Sequence, residues 1–340
     1  MVIDVHHHYL PQELADNFER HVPDHVEVRR KDGIVTLSRR NDGYEYIVVD
    51  PALWCDPDRQ VRDMDATGVD HAVLSVACYQ DWMTMDAARL CNDGIAALVA
   101  SHPDRFSGMI SIPPDGGEPM VEEVHRATHE LGLRGINLST SYRGMYPDHP
   151  DFAPLFALAE ELDHALYFHP SWHPPVLDNL ESWNLERSIG KAFDLNLAAA
   201  RLIFSGIMAR HPRLRVAFAH LGGALPMTAR RLFHGPRGWH ATPDQDYPAQ
   251  LKRVFLDTAP GIWQSPAEIE FACTVLGVDQ IMLGSDYPLS NDPASIVRNS
   301  VRHVAKLPLE HGEKKKIFGD NAIRCFGLSC VHGARKVSAG

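Results

Sequence analysis

Residues 165–170 read Ala-Leu-Tyr-Phe-His-Pro, a short apolar run that ends in polar residues. Eight runs of this kind occur along the chain, at residues 2–8, 72–77, 106–113, 133–140, 165–170, 216–220, 254–259 and 281–288. Apolar runs without polar alternation are typical of strands buried on both faces, as in parallel sheets. The sequence therefore predicts eight parallel strands.

Segments with helical periodicity separate these runs. They cover residues 58–67, 86–101, 120–131, 152–162, 195–211 and 266–276. Because strand and helix alternate, and because crossovers between parallel strands are right-handed, the pattern predicts an α/β protein built as a (β/α)8 TIM barrel. An open, doubly wound sheet is the alternative.

One segment departs from this alternation. Residues 26–50 alternate apolar and polar side chains around Asp32-Gly33 and Asp42-Gly43, a pattern typical of tight hairpin turns. We expect a small antiparallel β insertion after strand 1, within residues 20–55, that covers one side of the barrel mouth and shapes a substrate pocket. A surface hairpin without such a role is the alternative. The whole barrel is expected to form one domain over residues 1–328, followed by a tail at 329–340.

Composition narrows the class of protein. With 44% hydrophobic and 23% charged residues among 340, the chain is typical of a soluble globular protein and not of a fibrous or disordered one. It lacks a basic, apolar leader and any apolar run long enough to span a membrane, so we expect a cytoplasmic location. The net charge of −11 disfavours nucleic acid and anionic membrane as partners. The six cysteines form no C-x-x-C pair, so neither a disulfide framework nor a thiolate zinc site is indicated.

Histidines mark the ends of several predicted strands. The first strand reads Asp4-Val5-His6-His7-His8, and alternation along a strand predicts that His6 and His8 point into the barrel while Val5 and His7 face the helices. A single buried histidine is usually a hydrogen-bonded core residue. Two imidazoles on one face at a strand end favour a metal site, because burying both without a partner would be costly.

Three further ionisable residues end predicted strands in the same way. His169 ends the fifth strand, His220 ends the sixth, and Asp286 ends the eighth. The carboxyl ends of barrel strands are where active sites are built. Three imidazoles and one carboxylate suit Zn²⁺ and also accept Mn²⁺, Fe²⁺ or Co²⁺. The sequence thus predicts a divalent metal site with a position open to water or substrate.

The chain resembles the amidohydrolase superfamily, specifically the amidohydrolase-related branch that includes aminocarboxymuconate semialdehyde, γ-resorcylate and 5-carboxyvanillate decarboxylases. The motifs behind this resemblance are Asp4-x-His6-x-His8, His169, His220-x-Gly222-Gly223 and Gly284-Ser285-Asp286-Tyr287-Pro288. The similarity extends through most of the chain and includes Trp54-Cys55-Asp56-Pro57, Met64-Asp65-x-x-Gly68-Val69, Pro103-Asp104-Arg105-Phe106, Leu256-Asp257-Thr258-Ala259 and Gly319-Asp320-Asn321-Ala322.

The resemblance implies a role for each of these positions. His6, His8, His169 and Asp286 would hold one divalent metal, usually zinc, with Mn²⁺ possible. His220 would stay off the metal as an acid/base residue, and Asp286 would also serve in proton transfer. Relatives with two metals bridge them with a carboxylated lysine from strand four, which here reads Leu-Arg-Gly-Ile-Asn-Leu over residues 133–138, so a single metal is expected.

The resemblance also implies substrate-binding residues and a partner. Arg231 matches an arginine that reaches a neighbouring subunit's pocket, so a homodimer is expected. Arg187 is a second candidate to hold a substrate carboxylate, and Trp54 a candidate aromatic wall. Each could equally be an ordinary helix or packing residue. The related decarboxylases place an arginine in the insertion where this chain reads Ile-Val-Val over residues 47–49, unless Arg39 or Arg40 reaches inward instead.

Two reactions and one non-catalytic role fit these residues. The resemblance favours a non-oxidative decarboxylase acting on a small carboxylated aromatic or unsaturated acid. The same metal set would permit hydrolysis or hydration of a lactone, amide or ester. A barrel that only binds a metabolite is the third possibility, although every predicted metal position is filled. His173, His234, Trp82, Trp172 and Trp183 are further candidates to line the pocket.

Overall fold

The apolar runs form strands in a computed structural model, which describes residues 1–40, 43, 45–76, 83–113, 117–142, 144–172, 180, 182–233 and 246–328. The strands in chain order are β1 (Ile3–His8), β2 (Val26–Lys31), β3 (Ile34–Arg39), β4 (Glu45–Val49), β5 (His71–Ser75), β6 (Phe106–Gly108), β7 (Ile110–Ser111), β8 (Ile136–Ser139), β9 (Leu166–His169), β10 (Val216–Phe218), β11 (Val254–Asp257) and β12 (Ile281–Met282). All but β2–β4 are parallel neighbours.

Helices follow the strands and cover them on the outside. They are α1 (Gln12–Asp16), α2 (Pro51–Trp54), α3 (Pro57–Thr67), α4 (Met85–Ser101), α5 (Gly117–His129), α6 (Ala153–Glu161), α7 (Ile189–Phe204), α8 (Ile207–Arg210), α9 (Leu225–Phe233), α10 (Tyr247–Leu251), α11 (Pro266–Leu276), α12 (Pro293–Ala305), α13 (His311–Lys315) and α14 (Asn321–Phe326). None of the helices in these ranges combines the length and apolarity that crossing a membrane requires.

Two runs of parallel strands, β1-β5-β6 and β7 to β12, make up the barrel wall. β6 and β7 are consecutive pieces of one strand, broken at Met109, whose N–H donates to Leu74 O. The segment that follows β12 lies beside β1. There Val5 N donates to Leu283 O at 3.0 Å, and Asp286 N donates to His6 O at 2.9 Å. These hydrogen bonds join the last strand to the first. The predicted (β/α)8 barrel is confirmed.

The segment after β1 forms the expected antiparallel sheet, in the order β2-β3-β4. Asp32 and Gly33 connect β2 to β3 with positive φ angles of 52° and 81°, a conformation that a two-residue hairpin turn of this kind requires. Asp42 of the second turn lies outside the described residues. The domain boundaries at 20–55 and 1–328 stay predictions, and the 329–340 tail lies outside the described residues.

The inside of the barrel is packed with alternate residues of the strands. Val73, Tyr167, Ala217 and Met282 belong to one buried apolar cluster together with Phe326 of α14. Their strand neighbours pack in a second cluster against the helices. α14 therefore contributes to the interior core.

The prediction that Val5 of β1 faces the helices is wrong. Val5 belongs to the interior cluster and does not face the helices as alternation predicted. The pairing of β1 with β5 shifts between Asp4 and His7, and such an irregularity changes which residues share a face. His6 and His8 still meet inside, while His7 points outward and stacks on Tyr287 with ring centroids 4.3 Å apart.

α7 and α8 replace the single helix predicted for residues 195–211. α7 begins earlier, at Ile189, and ends at Phe204. Gly206 has a φ of 82°, a left-handed conformation that ends a helix, before α8 resumes at Ile207. The sequence predicted one continuous helix because the apolar Ile207 and Met208, which are both buried, extend the helical spacing past Gly206.

Candidate metal centre and active site

The five predicted site residues converge at the carboxyl ends of the strands. His6 and His8 come from β1 and His169 from the end of β9, whereas His220 and Asp286 follow β10 and β12. His6, His8, His169 and Asp286 are buried, each at most 2% exposed. Residues far apart in the sequence thus form one cluster.

The distances within the cluster are those expected of ligands that share one ion. His6 Nε2 lies 3.2 Å from His8 Nε2 and 3.0 Å from Asp286 Oδ1. His8 Nε2 is 3.2 Å from the same carboxylate oxygen. Ligand atoms at about 2.1 Å from a tetrahedral zinc ion are roughly 3.4 Å apart. The donor atoms therefore already stand as close as a single divalent ion would hold them.

His169 and His220 complete the cluster. One ligand atom from each of His6, His169, His220 and Asp286 lies within 4.8 Å of the other three. His169 Nε2 is buried and has no hydrogen-bond partner in the described part of the chain. A buried nitrogen without a partner is costly, and a metal bond would satisfy it. The residues present therefore fit a divalent metal.

The second ring nitrogen of every imidazole faces another oxygen. His6 Nδ1 is 3.1 Å from Asp257 Oδ2, His8 Nδ1 is 3.0 Å from Ser75 Oγ, His169 Nδ1 is 3.2 Å from Pro170 O, and His220 Nδ1 is 3.3 Å from Ala259 O. Carboxylate and carbonyl oxygens can only accept, so Nδ1 carries the proton in His6, His169 and His220; the Ser75 hydroxyl can also accept, and we assign the same tautomer to His8. That tautomer turns the Nε2 lone pairs toward the cluster, as metal binding requires.

Asp257, at the end of β11, is hydrogen-bonded to two members of the cluster. Its Oδ2 accepts from Tyr167 Oη at 2.6 Å as well as from His6. Its Oδ1 accepts from the backbone N–H groups of His220 and Ala259 at 3.1 and 2.9 Å. One buried carboxylate thus orients a proposed ligand and fixes the backbone at His220.

Charges in the cluster shift the pKa of its members. Burial lowers the pKa of His6, but Asp257 and Asp286 outweigh it and raise that pKa to about 10. Burial, with the positive charge on His6, holds the pKa of His169 well below its usual range. For Asp286, burial raises the pKa, but His6 outweighs it and holds the pKa well below its ordinary value. A positive charge at this position is therefore favoured, whether it is a proton on His6 or a metal ion.

His220 differs from the other imidazoles in its environment. Burial is the largest influence that lowers its pKa, to about 4, so the ring is neutral at neutral pH. The backbone at His220 and Asp286 is in the left-handed region, with φ of 53° and 68°. Such conformations are uncommon for residues other than glycine and occur often at functional sites.

A cavity of about 700 Å³ opens beside the cluster. Its described lining includes the cluster residues His169, His220 and Asp286, and its walls carry Trp172, Trp263, Arg187 and Lys191. Cavities of this size are typical of sites for small molecules. A reactant in this cavity would touch the cluster on one side and cationic and aromatic groups on another.

The other candidates are placed in different surroundings. Arg187 lines the cavity, and Arg231 lies on the exposed side of α9. Trp54 is buried and stacks on His8, with ring centroids 6.0 Å apart, and is not among the lining residues of the described cavity. Trp183 is 89% exposed. His173, His234 and Trp82 lie outside the described residues.

The two arginines of the insertion have other contacts. Arg39 lies 3.7 Å from Glu186, in the segment after β9, and so ties the insertion to the side of the cavity that carries Arg187. Arg40 donates to the carbonyls of Asp24 and Val26. Neither is among the described lining residues.

Several residues of this site, among them Asp257, Ser75, Lys191 and Trp263, were not predicted as site residues from the sequence. Asp257 follows a short apolar run, as His169 and Asp286 do. This position was the signal in the sequence that could have identified Asp257 as a site residue. Ser75 ends β5 in the same way. Lys191 lies on a helix, and only the packing of α7 brings it to the cavity.

A family model described as amidohydrolase matches residues 3–328. The chain belongs to the amidohydrolase family, which confirms the resemblance inferred from the motifs.

Its relatives include named decarboxylases. The chain is 28% identical to the 2-amino-3-carboxymuconate-6-semialdehyde decarboxylase of Dictyostelium discoideum, over 96% of this chain and 91% of that protein. It is 29% identical to a γ-resorcylate decarboxylase of Rhizobium sp., over 80% of this chain and 87% of that protein. These relatives indicate an enzyme, and decarboxylation is favoured over hydrolysis.

A solved structure supports the same conclusion. The 5-carboxyvanillate decarboxylase of Novosphingobium aromaticivorans is 26% identical, with a TM-score of 0.76 and coverage of 96% of both chains. That structure contains manganese and 4-hydroxy-3-methoxy-5-nitrobenzoic acid. The comparison supports a divalent metal in this fold.

Proposed function

We propose that this protein is a metal-dependent, non-oxidative decarboxylase that acts on a small carboxylated aromatic or unsaturated acid. The observation that carries the proposal is a single cavity that holds both the imidazole–carboxylate cluster and the cationic side chains of Arg187 and Lys191. A carboxylate substrate needs both a site for its reacting end and compensating positive charge. The named decarboxylases among the relatives support this reaction over hydrolysis.

His6, His8, His169 and Asp286 would hold the metal, with zinc the first expectation for three imidazoles and a carboxylate and manganese the alternative. When bound, a divalent cation would polarise the substrate carboxylate or a neighbouring hydroxyl and withdraw electrons from the carbon that loses CO₂. Asp257 keeps His6 in the tautomer that this requires.

His220 would move the proton. Its Nδ1 donates to Ala259 O, so Nε2 is the atom that would take up a proton from water and deliver it to the carbon on which the departing CO₂ leaves its bonding electron pair. The low pKa of His220 keeps Nε2 free to accept at neutral pH. Asp286 would share in proton transfer through its second carboxylate oxygen. Trp54, packed behind His8, would support this side of the site.

Two replacements test the division of roles. His169→Ala removes a proposed ligand, so the purified variant should contain little metal and show no turnover. His220→Ala should keep its metal while losing turnover by about a hundredfold or more, because only the proton carrier is removed. Metal content by mass spectrometry and CO₂ release from carboxylated phenols measure the two effects.

Equal metal loss in both variants would mean that His220 is a ligand, a possibility that its place in the 4.8 Å cluster makes worth testing. Ring opening of simple lactones without CO₂ release from any carboxylate would favour the hydrolase instead. A barrel that is metal-free and inactive would indicate a binding role.

We also propose a homodimer located in the cytoplasm. Arg231 is exposed on α9, near Met227, which is 79% exposed. An exposed arginine beside an exposed apolar side chain suits a subunit interface. In such a dimer Arg231 would enter the partner subunit's pocket and bind substrate there.

A further inference from the structure

The cavity has one positively charged wall that the metal centre does not use. Three charged side chains line its described part, Asp286 of the cluster and the two cations Arg187 and Lys191. Lys191 lies one helical turn after Arg187, at the start of α7. The two cations are thus neighbours on one wall, whereas the carboxylate belongs to the cluster.

Trp172 fixes the position of the Lys191 ammonium. The Nζ atom lies 3.9 Å from the centroid of the Trp172 ring, and the Arg187 guanidinium carbon lies 6.0 Å from the same centroid. Trp172 is only 3% exposed, so its ring is held by packing. A cation over an indole face is attracted to it, and this contact restricts a side chain that is otherwise flexible.

The helix that carries Lys191 is fastened to the strand ends. Asp194, one turn further along α7, is buried and accepts hydrogen bonds from Thr140 Oγ1, from Tyr146 Oη at 2.6 Å and from Ser171 Oγ at 3.3 Å. Ser171 precedes Trp172 in the chain. One carboxylate therefore holds both the helix of Lys191 and the loop of Trp172.

A glycine holds the same helix against the turn of His220. A Cβ atom on Gly223 would lie 2.0 Å from Ala192 O, so only glycine allows this approach. Ala192 follows Lys191, and Gly223 lies three residues after His220. Lys191 is therefore held on the wall of the cavity that adjoins the turn of His220.

We propose that Lys191, assisted by Arg187, is a specificity-determining residue that binds a second anionic group of the substrate, remote from the one at the metal. This inference rests on the proposed function, in which the cluster takes the reacting carboxylate. A cavity of about 700 Å³ has room for more than a benzoate. The substrates are then dianions, such as aromatic acids with two carboxylates, and the second carboxylate accepts a hydrogen bond from the Lys191 ammonium.

Binding measurements test this without turnover. The metal-loaded protein is titrated calorimetrically with benzoate, isophthalate and terephthalate, which differ in a second carboxylate and in its position. We expect at least one dicarboxylate to bind about tenfold or more tightly than benzoate. Lys191→Met should weaken that dicarboxylate by about tenfold to a hundredfold, since a hydrogen bond to a charged group is lost, and should change benzoate by less than about threefold.

Two further variants serve as controls. Lys191→Arg should keep most of the preference for the dicarboxylate, because the charge remains. Lys306→Met makes the same replacement at an exposed position that ends α12 and should change nothing. Unchanged metal content and thermal unfolding of Lys191→Met show that its fold is retained.

Three results would overturn the inference: no preference for a dicarboxylate in the unaltered protein, an unchanged preference in Lys191→Met, or an equal loss for benzoate and dicarboxylate. The last would mean that Lys191 contacts the same carboxylate as the metal. If no carboxylate releases CO₂ but the dicarboxylate preference still depends on Lys191, the proposed reaction fails while the binding inference stands.

Discussion

At the scale of single residues, the site depends on what holds each imidazole from behind. Every cluster histidine has its Nδ1 against an oxygen, and the strongest of these acceptors is the carboxylate of Asp257. Asp257 accepts four hydrogen bonds, so both of its oxygens are fully used. Its contribution is to orient His6 and the backbone of His220 at the same time.

Asp257→Asn replaces one accepting oxygen with an amide NH₂ that must face a donor. We expect metal affinity to fall by about 10- to 100-fold, as is typical when the partner of a metal-binding histidine is lost. Competition with a chromophoric chelator measures the affinity. Tyr167→Phe is the matched control, since it removes one hydrogen bond to Asp257 and leaves the contact with His6; its affinity should change by less than about threefold. An Asp257→Asn protein with unaltered affinity would rule out the orienting role.

The cluster itself could be predicted from the sequence, because strand ends carry their chemistry in a simple pattern. His6 and His8 are two residues apart, and His169 and Asp286 each follow a short apolar run. Val5 was misplaced because a register irregularity in β1 leaves no mark in the sequence. The metal-ligand roles of the individual residues stay predictions until the replacements at His169 and His220 are made.

At the scale of secondary-structure elements, one buried histidine links several parts of the barrel at the amino-terminal ends of the strands. His164, which precedes β9, lies 2.9 Å from Thr128 of α5 through Nε2 and accepts from Gly135 N through Nδ1 at 3.4 Å. Burial and then the charge of Arg134 lower its pKa to about 4. Other charged or titratable groups that influence it are Asp163, Arg215 and His129.

This lowered pKa makes stability depend on pH. The native ring is neutral down to about pH 4, whereas the unfolded ring takes up a proton below its ordinary pKa of 6.5. Between these values the unfolded chain binds more protons, so the free energy of unfolding falls as pH falls. The contribution is complete above about pH 6.5 and amounts to at most about 3 kcal/mol.

His164→Gln removes the titration and should therefore flatten part of that dependence. Urea unfolding at pH 7 and pH 5 measures the free energy of unfolding for both proteins. The difference between the two pH values should be smaller for the variant by about 1–2 kcal/mol. Equal slopes for the two proteins would show that His164 does not change protonation on unfolding.

The helices show why some elements were predicted better than others. α11 was predicted at its observed ends because a proline begins it and Gly277 follows it. α7 was predicted to start six residues late, since Gly190, Lys191 and Asp194 interrupt the apolar spacing of its first turns. The missed turn carries Lys191, so the error in the helix start hid the contribution of Lys191 to the cationic wall of the cavity.

At the scale of the whole molecule, the expected homodimer can be tested through the placement of Arg231. If Arg231 enters the partner subunit's pocket, an Arg231→Met subunit keeps its own metal site but cannot complete its partner's. A His169→Ala subunit has the opposite defect. A dimer of one of each then contains one complete site.

Mixing the two inactive variants under conditions of subunit exchange should restore about a quarter of normal activity, because half of the random dimers are mixed and each has one working site. Each variant alone is the control. Activity that stays absent after exchange would place Arg231 in its own subunit's site or outside any site. Sedimentation of a fully active monomer would contradict the dimer as well.

The barrel as a whole followed from the alternation of apolar runs and helical segments, and the hairpin insertion from its two Asp-Gly steps. What could not be predicted is how the insertion meets the barrel. The contact between Arg39 and Glu186 joins positions far apart in the chain, and only the folded arrangement of both segments brings them together.

The seam between the first and last strands has a consequence for synthesis of the chain. His8 and Asp286, which meet at 3.2 Å, are separated by 278 positions in the sequence. A chain growing on the ribosome exposes His6 and His8 at the outset, yet the carboxylate proposed to share their ion is translated only after the other barrel strands. If Asp286 is a ligand as proposed, fragments released before that point lack it, and full metal loading then marks a chain whose translation has passed residue 286.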